Sequence, residues 1–352
     1  MNLNFTMDFA NSLTQWYLKN KRDLPWRNTK DPYLIWLSEI MLQQTRVAQG
    51  MPYFHAFTNA FPTVFDLANA SEQEVLKLWQ GLGYYSRARN LHKTAQHIGN
   101  NLGGVFPTSY KDLLLLNGVG EYTAAAIASF SFNEVIPVVD GNVFRVLSRY
   151  FNIETDIQSN AAKKEFFSLA KELILENNPA LFNQAIMEFG ALQCVPKNPN
   201  CSSCPLNEGC LALQKNKVHS LPIKSKKLKV RNRYFNYIVF FDNLKNTIIR
   251  KREEKGIWHN LYEFPLIESD KNLEYEDFQL ELLTRKFVTN SIVSIEEFNA
   301  ISQLHKLTHQ HLHIKFWKVA VSDVITNGID YETLLTFPFP IVIYNFIEKD
   351  WK

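Results

Sequence analysis

The four cysteines constrain the folding of this chain most strongly, because all of them lie within 17 of its 352 residues. They occupy the segment CVPKNPNCSSCPLNEGC in the spacing Cys-x6-Cys-x2-Cys-x5-Cys, as Cys194, Cys201, Cys204 and Cys210. Thiolates bind soft metals, and one short loop can surround a zinc ion or an iron–sulfur cluster. Two disulfides are the alternative, but a reducing compartment favours a metal centre.

The bulk properties point to two domains but do not identify a partner. The net charge of +3 is too small to indicate a partner by itself. Between Lys215 and Arg233 there are eight Lys or Arg and no acidic residue, which indicates a linker or a nucleic-acid patch. MNLNFTMDFA lacks the pattern of a signal peptide, and no run approaches the roughly 18 apolar residues of a membrane helix. We therefore expect a cytoplasmic protein, associated with the nucleoid in a bacterium, with no membrane partner.

Two regions of different character predict the fold class. Residues 1–212 predict an all-α domain, whose helices include Leu67–Trp79, Asp112–Leu116, Thr123–Phe130, Val143–Tyr150 and Ala161–Glu176. Residues 213–232 are interpreted as a basic linker. Residues 233–352 predict an α+β domain, with strands in YFNYIVFFD, NTIIRKR, HLHIKFWKVAV and PIVIYNFI and one helix at Tyr275–Arg285.

The stretch LNGVGEYTAAAI, Leu116–Ile127, predicts a hairpin between two helices over about residues 111–130. Gly118 and Gly120 permit positive φ and let the backbone approach a ligand closely. The N–H groups at the start of the second helix then suit a phosphate. From this motif alone, an ordinary glycine-rich turn is the alternative.

Two carboxylates stand in contrasting surroundings. In DPYLIWLSEIMLQQTR, Asp31 is a predicted N-cap and Glu39 lies in an otherwise apolar run. Burial would raise the pKa of Glu39 and make it a general acid, although the solvated face of an amphipathic helix is the alternative. In VIPVVDGNVFRVL, Asp140 precedes a helix whose free N–H groups favour its charged form. A neutral acid beside a charged carboxylate suits cleavage of a bond to a sugar.

The motifs together resemble a known family. The cysteine spacing resembles the [4Fe-4S] loop of the endonuclease III branch of the helix-hairpin-helix DNA glycosylases, and LNGVGEYTA resembles their hairpin. LPWR, WLSEIMLQQTRV, FPT, LANA, LWQGLGYYSRARNLHK and DGNVFRVLSR resemble the adenine DNA glycosylases through most of residues 22–212. The resemblance implies that the four cysteines ligate a mainly architectural [4Fe-4S] cluster, which folds the loop Val195–Asn200, with Lys197, against DNA. It also implies a monomer that binds double-stranded DNA containing adenine opposite 8-oxoguanine or guanine.

The same resemblance assigns the chemistry. It implies that Glu39 protonates adenine at N7, that Asp140 stabilises the sugar cation, and that Asn142 orients Asp140 or its water. Related glycosylase/lyases use a lysine in the hairpin helix to form a Schiff base and cut the strand, and Tyr122 stands at that position. A phenol cannot form the imine, so we expect base removal alone. Tyr122 is expected to hydrogen-bond near the carboxylates or simply to pack.

Several further positions match DNA contacts of the family. They are Gln44, Thr45, Leu82, Tyr84, Gly118, Gly120, Arg22 and Arg27. Extrusion of a base leaves a gap that a side chain fills. Gln44 is the expected wedge, and Leu82 and Tyr84 are expected beside the orphaned base, with a core position as their alternative. The two arginines are expected to hold the adenine pocket or the strand.

The C-terminal region resembles the family's Nudix-like domain through GIWHNLYEFP, Gly256–Pro265. The Arg-Glu-x-x-Glu-Glu helix of a working Nudix hydrolase has no counterpart between Phe264 and Phe287. We therefore expect this domain to bind rather than hydrolyse.

The segment HKLTHQHLHI contains the expected site for 8-oxoguanine. The family usually has Phe-Ser-His where this chain has Leu307-Thr308-His309, and the resemblance assigns recognition of the lesion to Thr308 and His309. Alternation along a strand would also place His309, His311 and His313 on one face. A zinc site, a phosphate contact and solvated histidines are therefore alternatives.

The sequence thus predicts a monofunctional DNA glycosylase that hydrolyses the N-glycosidic bond of mispaired adenine in base excision repair. A bifunctional glycosylase/AP lyase of the endonuclease III type is one alternative, against which Tyr122 and the extra domain argue. A non-catalytic DNA-binding iron–sulfur protein is the other, against which the two carboxylates in their motifs argue.

Overall fold

The computed structural model describes residues 3–225, 230–285, 287–289 and 291–350. Residues 226–229 of the basic linker lie outside the described residues. The chain folds into two compact units, residues 1–69 with 90–226 and residues 70–89 with 227–352. Segment 70–89 thus groups with the C-terminal region, whereas the boundaries expected from the sequence assign it to the N-terminal one. No helix in the described ranges is long and apolar enough to cross a bilayer.

The part of the chain before the sheet is helical, as expected. Its helices are α1 (Leu3–Asn20), α2 (Pro32–Leu42), α3 (Val47–Ala60), α4 (Val64–Asn69), α5 (Glu72–Leu78), α6 (Ser86–Asn101), α7 (Tyr110–Leu113), α8 (Glu121–Phe132), α9 (Gly141–Phe151), α10 (Asn160–Leu173), α11 (Pro179–Leu192) and α12 (Leu211–Gln214). In the first unit α2 packs on α8, and α11 packs on both α1 and α9. The core between α1, α9, α10 and α11 includes Phe9, Leu147, Phe166 and Phe182.

Local sequence signals set where the helices begin. Asp31 accepts a hydrogen bond of 2.9 Å from the backbone N–H of Tyr33, and Pro32 takes the first position of α2. Ser71 and Glu74 form a capping box at the start of α5. This new helix start divides the predicted helix Leu67–Trp79 into α4 and α5, so the prediction of a single helix there is wrong.

The second unit contains a five-stranded mixed sheet in the order β4-β1-β7-β5, with β6 also paired to β7. Its strands are β1 (Arg231–Phe241), β4 (Leu266–Ser269), β5 (Ile292–Glu297), β6 (Gln303–Lys306) and β7 (Gln310–Val321), while β2 (Arg250–Lys251) pairs with β3 (Tyr262–Glu263). The long strands β1 and β7 are parallel, and Tyr234 lies opposite His313. The helices of this region are α13 (Tyr275–Arg285), α14 (Tyr331–Leu334) and α15 (Ile341–Asp350).

The C-terminal α+β character is confirmed, but one predicted strand is wrong. The segment PIVIYNFI forms the start of α15 rather than a strand. Its buried residues Val342, Ile343, Phe346 and Ile347 recur with helical spacing, so one face of a helix covers the core. The run NTIIRKR contributes only Arg250–Lys251 to a strand, and the helix Tyr275–Arg285 is confirmed as α13.

Candidate active site

The packing of α2 on α8 brings Glu39 and Tyr122 together. The Tyr122 hydroxyl donates a hydrogen bond of 2.6 Å to Glu39 Oε2. Glu39 is only 7% exposed, because most of α2 is buried around it. The solvated-face alternative for Glu39 therefore does not apply.

Burial makes Glu39 a weak acid. It raises the pKa of Glu39 from 4.5 to about 7, opposed by the hydrogen bond from Tyr122 and assisted by the charge of Asp140. Burial and the charge of Glu39 also raise the pKa of Tyr122 well above its usual value. With this pKa the carboxyl group of Glu39 keeps its proton up to about neutral pH, as a general acid requires.

Asp140 is the N-cap of α9 and accepts three hydrogen bonds. The backbone N–H groups of Asn142 and Val143 donate to its Oδ1 at 2.9 and 2.8 Å, and the Asn142 side-chain amide donates to its Oδ2 at 2.7 Å. These bonds lower the pKa of Asp140, but burial outweighs them and raises it. The expectation that the two carboxyl groups shift in opposite directions is therefore not met. The two groups differ instead in the hydrogen bonds that they accept. Asp140 accepts three, whereas Glu39 accepts one, from the phenol of Tyr122.

A cavity of about 380 Å³ lies beside the hairpin helix. Tyr122, Gln43 and Lys163 line it together with apolar side chains that include Phe144 and Phe167. Its volume falls within the range of small-molecule sites in proteins. Tyr122, which bonds Glu39, thus faces a space large enough for a nucleotide-sized ligand.

The hairpin glycines have different backbone conformations. Gly118 has φ of 74°, and a Cβ there would lie 2.6 Å from Asn90 Cβ. Gly120 has φ of −90° and faces open space, so it does not supply the positive φ that the sequence led us to expect. It is the N-cap of α8, where no side chain caps the free N–H groups.

All four cysteines are free thiols that line one cavity. Two arginines of α9 fix the backbone beside them. Arg145 donates to the Cys194 carbonyl at 2.7 Å and to Asn142 Oδ1 at 2.8 Å, while buried Arg149 donates to Cys194 Sγ at 3.4 Å and to the Val195 carbonyl at 2.8 Å. Among the described residues, no group of three or more His, Cys, Asp or Glu side chains is arranged to hold a metal ion. Lys197 is exposed on the adjoining loop.

The two arginines expected at the adenine pocket or the strand are engaged by a buried glutamate. Arg22 and Arg27 each form two side-chain hydrogen bonds with Glu188, at 2.6–2.8 Å. Burial raises the pKa of Glu188, but these bonds outweigh it and lower the pKa to about 2. The charge of Arg27 also lowers the pKa of Glu39.

Gln44, the expected wedge, is exposed and has φ of 57°, which is unusual for a residue other than glycine. The hydroxyl of Thr45 donates to the Gln43 carbonyl at 3.3 Å, and the Gln43 amide donates to Thr123 Oγ1 at 3.1 Å. These bonds fasten the turn after α2 to the hairpin helix. Such strained and exposed residues are common where proteins contact ligands.

In the second unit, Tyr84 is 49% exposed, has φ of 50°, and its hydroxyl lies 2.9 Å from Thr308 Oγ1. Thr308 and His309 are exposed in the turn between β6 and β7. Leu82 is only 4% exposed, so it lies in the core and not, as expected, on a surface that contacts DNA. His313 stacks on Tyr234 with ring centroids 4.7 Å apart.

Sequence reasoning missed three residues that the structure connects to the site. They are Gln43, which lines the cavity, Glu188, which binds both arginines, and Arg145, which joins Asn142 to the cysteine loop. Gln43 and Arg145 lie inside the quoted motifs LQQT and DGNVFR, which was the available signal. No sequence signal indicated Glu188, because its partners Arg22 and Arg27 lie more than 150 residues away in the chain.

Comparison with known proteins identifies the family. Residues 37–172 match the model of the HhH-GPD superfamily of base excision DNA repair proteins, and residues 236–349 match the NUDIX domain. The adenine DNA glycosylase of Buchnera aphidicola subsp. Acyrthosiphon pisum is 36% identical over 307 residues, which cover 87% of this chain and 85% of the relative. The chain belongs to the adenine DNA glycosylase family. It is thus a monofunctional adenine glycosylase of base excision repair, a hydrolase of N-glycosyl bonds.

A further relative and two solved structures are similar to parts of the chain. The human adenine DNA glycosylase is 45% identical over 216 residues, which cover 59% of this chain and 40% of the human protein. The structure of a thermostable thymine-DNA glycosylase matches 60% of this chain and 97% of its own length, with a TM-score of 0.56 and 30% identity. A trapped endonuclease III–DNA covalent intermediate matches 61% of this chain and 99% of its own length, with a TM-score of 0.53 and 21% identity, and shows the shared fold. The glycosylase binds DNA, as this family does.

Proposed function

We propose that this glycosylase removes adenine mispaired with 8-oxoguanine, and more slowly adenine mispaired with guanine, by acid-assisted hydrolysis. Glu39 donates its proton to N7 of the extruded adenine, and the bond between the base and C1′ breaks with its electron pair on the base. Asp140 stabilises the positive charge on the sugar, and water adds to C1′ and loses a proton to the solvent. The observation that carries this proposal is the buried, hydrogen-bonded Glu39, whose pKa of about 7 allows it to hold a proton at neutral pH.

The environment of Asp140 supports its role as the anion. Its three donors favour the charged carboxylate, and the N-terminus of α9 adds a favourable dipole. The charge of Asp140 in turn raises the pKa of Glu39, so the two groups lie near enough to interact. We propose that Asn142 holds Asp140 through its 2.7 Å bond and that the cavity beside Tyr122 admits the sugar of the extruded nucleotide.

We propose that the opposite base is read in the second unit, by Tyr84, Thr308 and His309. The support is the contact of 2.9 Å between the Tyr84 and Thr308 hydroxyl oxygens, at exposed positions. In the first unit, exposed Gln44 is the proposed wedge, and the N-terminus of α8, with Gly118 and Gly120, is the proposed phosphate contact. We propose that a single copy of the chain binds one duplex, which light scattering of the complex tests.

The experiment is adenine release under single-turnover conditions, from duplexes with adenine opposite 8-oxoguanine, guanine or thymine. We expect the rate to be highest opposite 8-oxoguanine and lowest opposite thymine. Glu39→Gln and Asp140→Asn should lose release while retaining much of the duplex binding. A wild-type rate in either variant would refute the assigned roles, and equal rates on the three duplexes would refute the proposed specificity.

We propose that Cys194, Cys201, Cys204 and Cys210 hold a [4Fe-4S] cluster. The donor set fits, because the four cysteines are free of disulfides and line one cavity, and thiolates are the usual ligands of iron–sulfur clusters. When bound, the cluster would cross-link the loop whose backbone Arg145 and Arg149 hold. Iron and sulfide analysis with visible absorption tests this, and stoichiometric zinc without iron would contradict it.

A further inference from the structure

The loop that carries Tyr84 is fastened to one short segment of the second unit, FPFP at Phe337–Pro340. Phe339 is fully buried, and its backbone is bonded at both polar atoms. Its N–H donates to Gln80 Oε1 at 2.9 Å, and its carbonyl accepts from the Tyr85 hydroxyl at 3.4 Å. The residues on the two sides of the Gly81–Tyr84 loop thus hold one and the same peptide segment.

The prolines limit the number of backbone hydrogen-bond donors in this segment. Pro338 and Pro340 have no N–H, so Phe339 carries the only backbone donor of the three residues. The Pro338 carbonyl accepts from the backbone N–H of Tyr262 at 2.9 Å, which connects the segment to β3. A donor buried at this point needs a partner, and Gln80 supplies it.

The Gly81–Tyr84 loop has an unusual backbone conformation, which neighbouring groups stabilise. Gly81, Gly83 and Tyr84 all have positive φ, of 96°, 80° and 50°. The conformation is unfavourable for Tyr84, since it carries a Cβ. Trp79 Nε1 donates to the Gly83 carbonyl at 3.0 Å, and the far end of the Tyr84 ring meets Thr308. Tyr84 therefore stays exposed while its backbone and its hydroxyl are both fixed.

We propose that Gln80 and Tyr85 are positioning residues for discrimination of the opposite base. Through the backbone of Phe339 they hold the loop so that Tyr84 lies beside Thr308 before DNA binds. Preorganisation of this pair lowers the entropic cost of reading the base. The inference rests on the proposed function, because it takes Tyr84 and Thr308 as the readers of that base.

The test measures the ratio of single-turnover rates with adenine opposite 8-oxoguanine and opposite guanine. Gln80→Leu removes the acceptor and should lower the ratio by between about threefold and tenfold, the range of one net hydrogen bond. Gln80→Glu keeps an acceptor oxygen and should restore the ratio. Gln73→Leu makes the same chemical change on α5 and is the matched control, with a ratio like that of the wild type.

The outcomes separate this inference from the proposed function. If the wild-type enzyme shows no preference for adenine opposite 8-oxoguanine, the proposed specificity itself is refuted. If the wild type prefers 8-oxoguanine, three results would overturn the role of Gln80. They are an unchanged ratio in Gln80→Leu, an equal loss in Gln73→Leu, and a ratio that Gln80→Glu does not restore. Where Gln80→Leu folds poorly, Tyr85→Phe removes the other bond to Phe339 and should lower the ratio in the same direction.

Discussion

The proposed catalytic proton of Glu39 comes with a cost in stability, because Glu39 is almost fully buried in α2. The folded protein binds this proton more tightly than the unfolded chain, so ionisation of Glu39 lowers stability as the pH rises from about 4.5 to about 7. Glu39→Gln carries no charge and should be the more stable protein at pH 8, by on the order of 3 kcal/mol. Denaturant titrations at pH 4.5 and pH 8 measure this. An advantage that is equal at both pH values would show that ionisation is not the cause.

Tyr122 should shift the alkaline limit of activity, which ionisation of Glu39 sets. Its hydroxyl donates to the carboxylate of Glu39, favours the charged form, and so lowers the pKa of the acid. Tyr122→Phe removes that bond, and the alkaline limb of the rate profile should move to higher pH. Tyr33→Phe, which removes another buried hydroxyl in the same unit, should leave the limb in place. A limb that shifts downward in Tyr122→Phe would contradict the assignment of Glu39 as the acid.

The surroundings of some site residues could be predicted from the sequence, whereas those of others could not. The apolar run around Glu39 and the helix start after Asp140 were legible, since both depend on neighbours in the sequence. The direction of the pKa shift of Asp140 was not, because burial comes from packing of distant elements. The partner of Arg22 and Arg27 was not predictable either, because Glu188 on α11 lies far away in the sequence.

At the scale of elements, the turn between α7 and α8 offers a matched pair of substitutions. Gly118→Ala would place a Cβ 2.6 Å from Asn90 at positive φ, and it should destabilise the protein by about 1–3 kcal/mol. Gly120→Ala meets open space at an ordinary φ and should change stability little. Thermal unfolding of both variants measures the difference. Equal losses would show that the conformation of Gly118 is not the constraint.

The elements also show where sequence patterns fail. The periodic runs predicted α8, α9 and α13, which have clear starts and uninterrupted helical spacing. A strand was predicted at PIVIYNFI because β-branched and aromatic residues favour strands. The segment is helical because burial of one helical face outweighs that preference. The split between α4 and α5 depends on the Ser71 capping box, a local signal that a continuous apolar pattern concealed.

At the scale of the whole molecule, the two units carry different parts of the reaction. The first contains Glu39 and Asp140, the proposed acid and anion, together with the hairpin, and the second contains Tyr84 and Thr308. Segment 70–89 could not be assigned by composition, since its helix resembles its neighbours in sequence. It groups with the C-terminal region in space, where for example the Asn260 side-chain amide donates a hydrogen bond of 2.6 Å to Glu72 Oε1.

The complete enzyme should leave the DNA strand uncut. A gel assay with adenine opposite 8-oxoguanine should show cleavage only after alkali, because Tyr122 offers no amine. Borohydride should trap little covalent adduct. Any residual adduct should depend on Lys163, which lines the cavity, and not on its neighbour Lys164. Strand cleavage without alkali, together with an adduct in good yield, would reveal a lyase.

The phenol of Tyr122 has a consequence beyond this protein. Hydrolysis leaves a deoxyribose that opens to a reactive aldehyde inside an otherwise continuous backbone. This chain has no amine at position 122 to process that sugar. Completion of the repair therefore requires a separate enzyme that incises the strand beside the missing base, followed by synthesis and ligation, and the vulnerable intermediate must pass from one protein to the next.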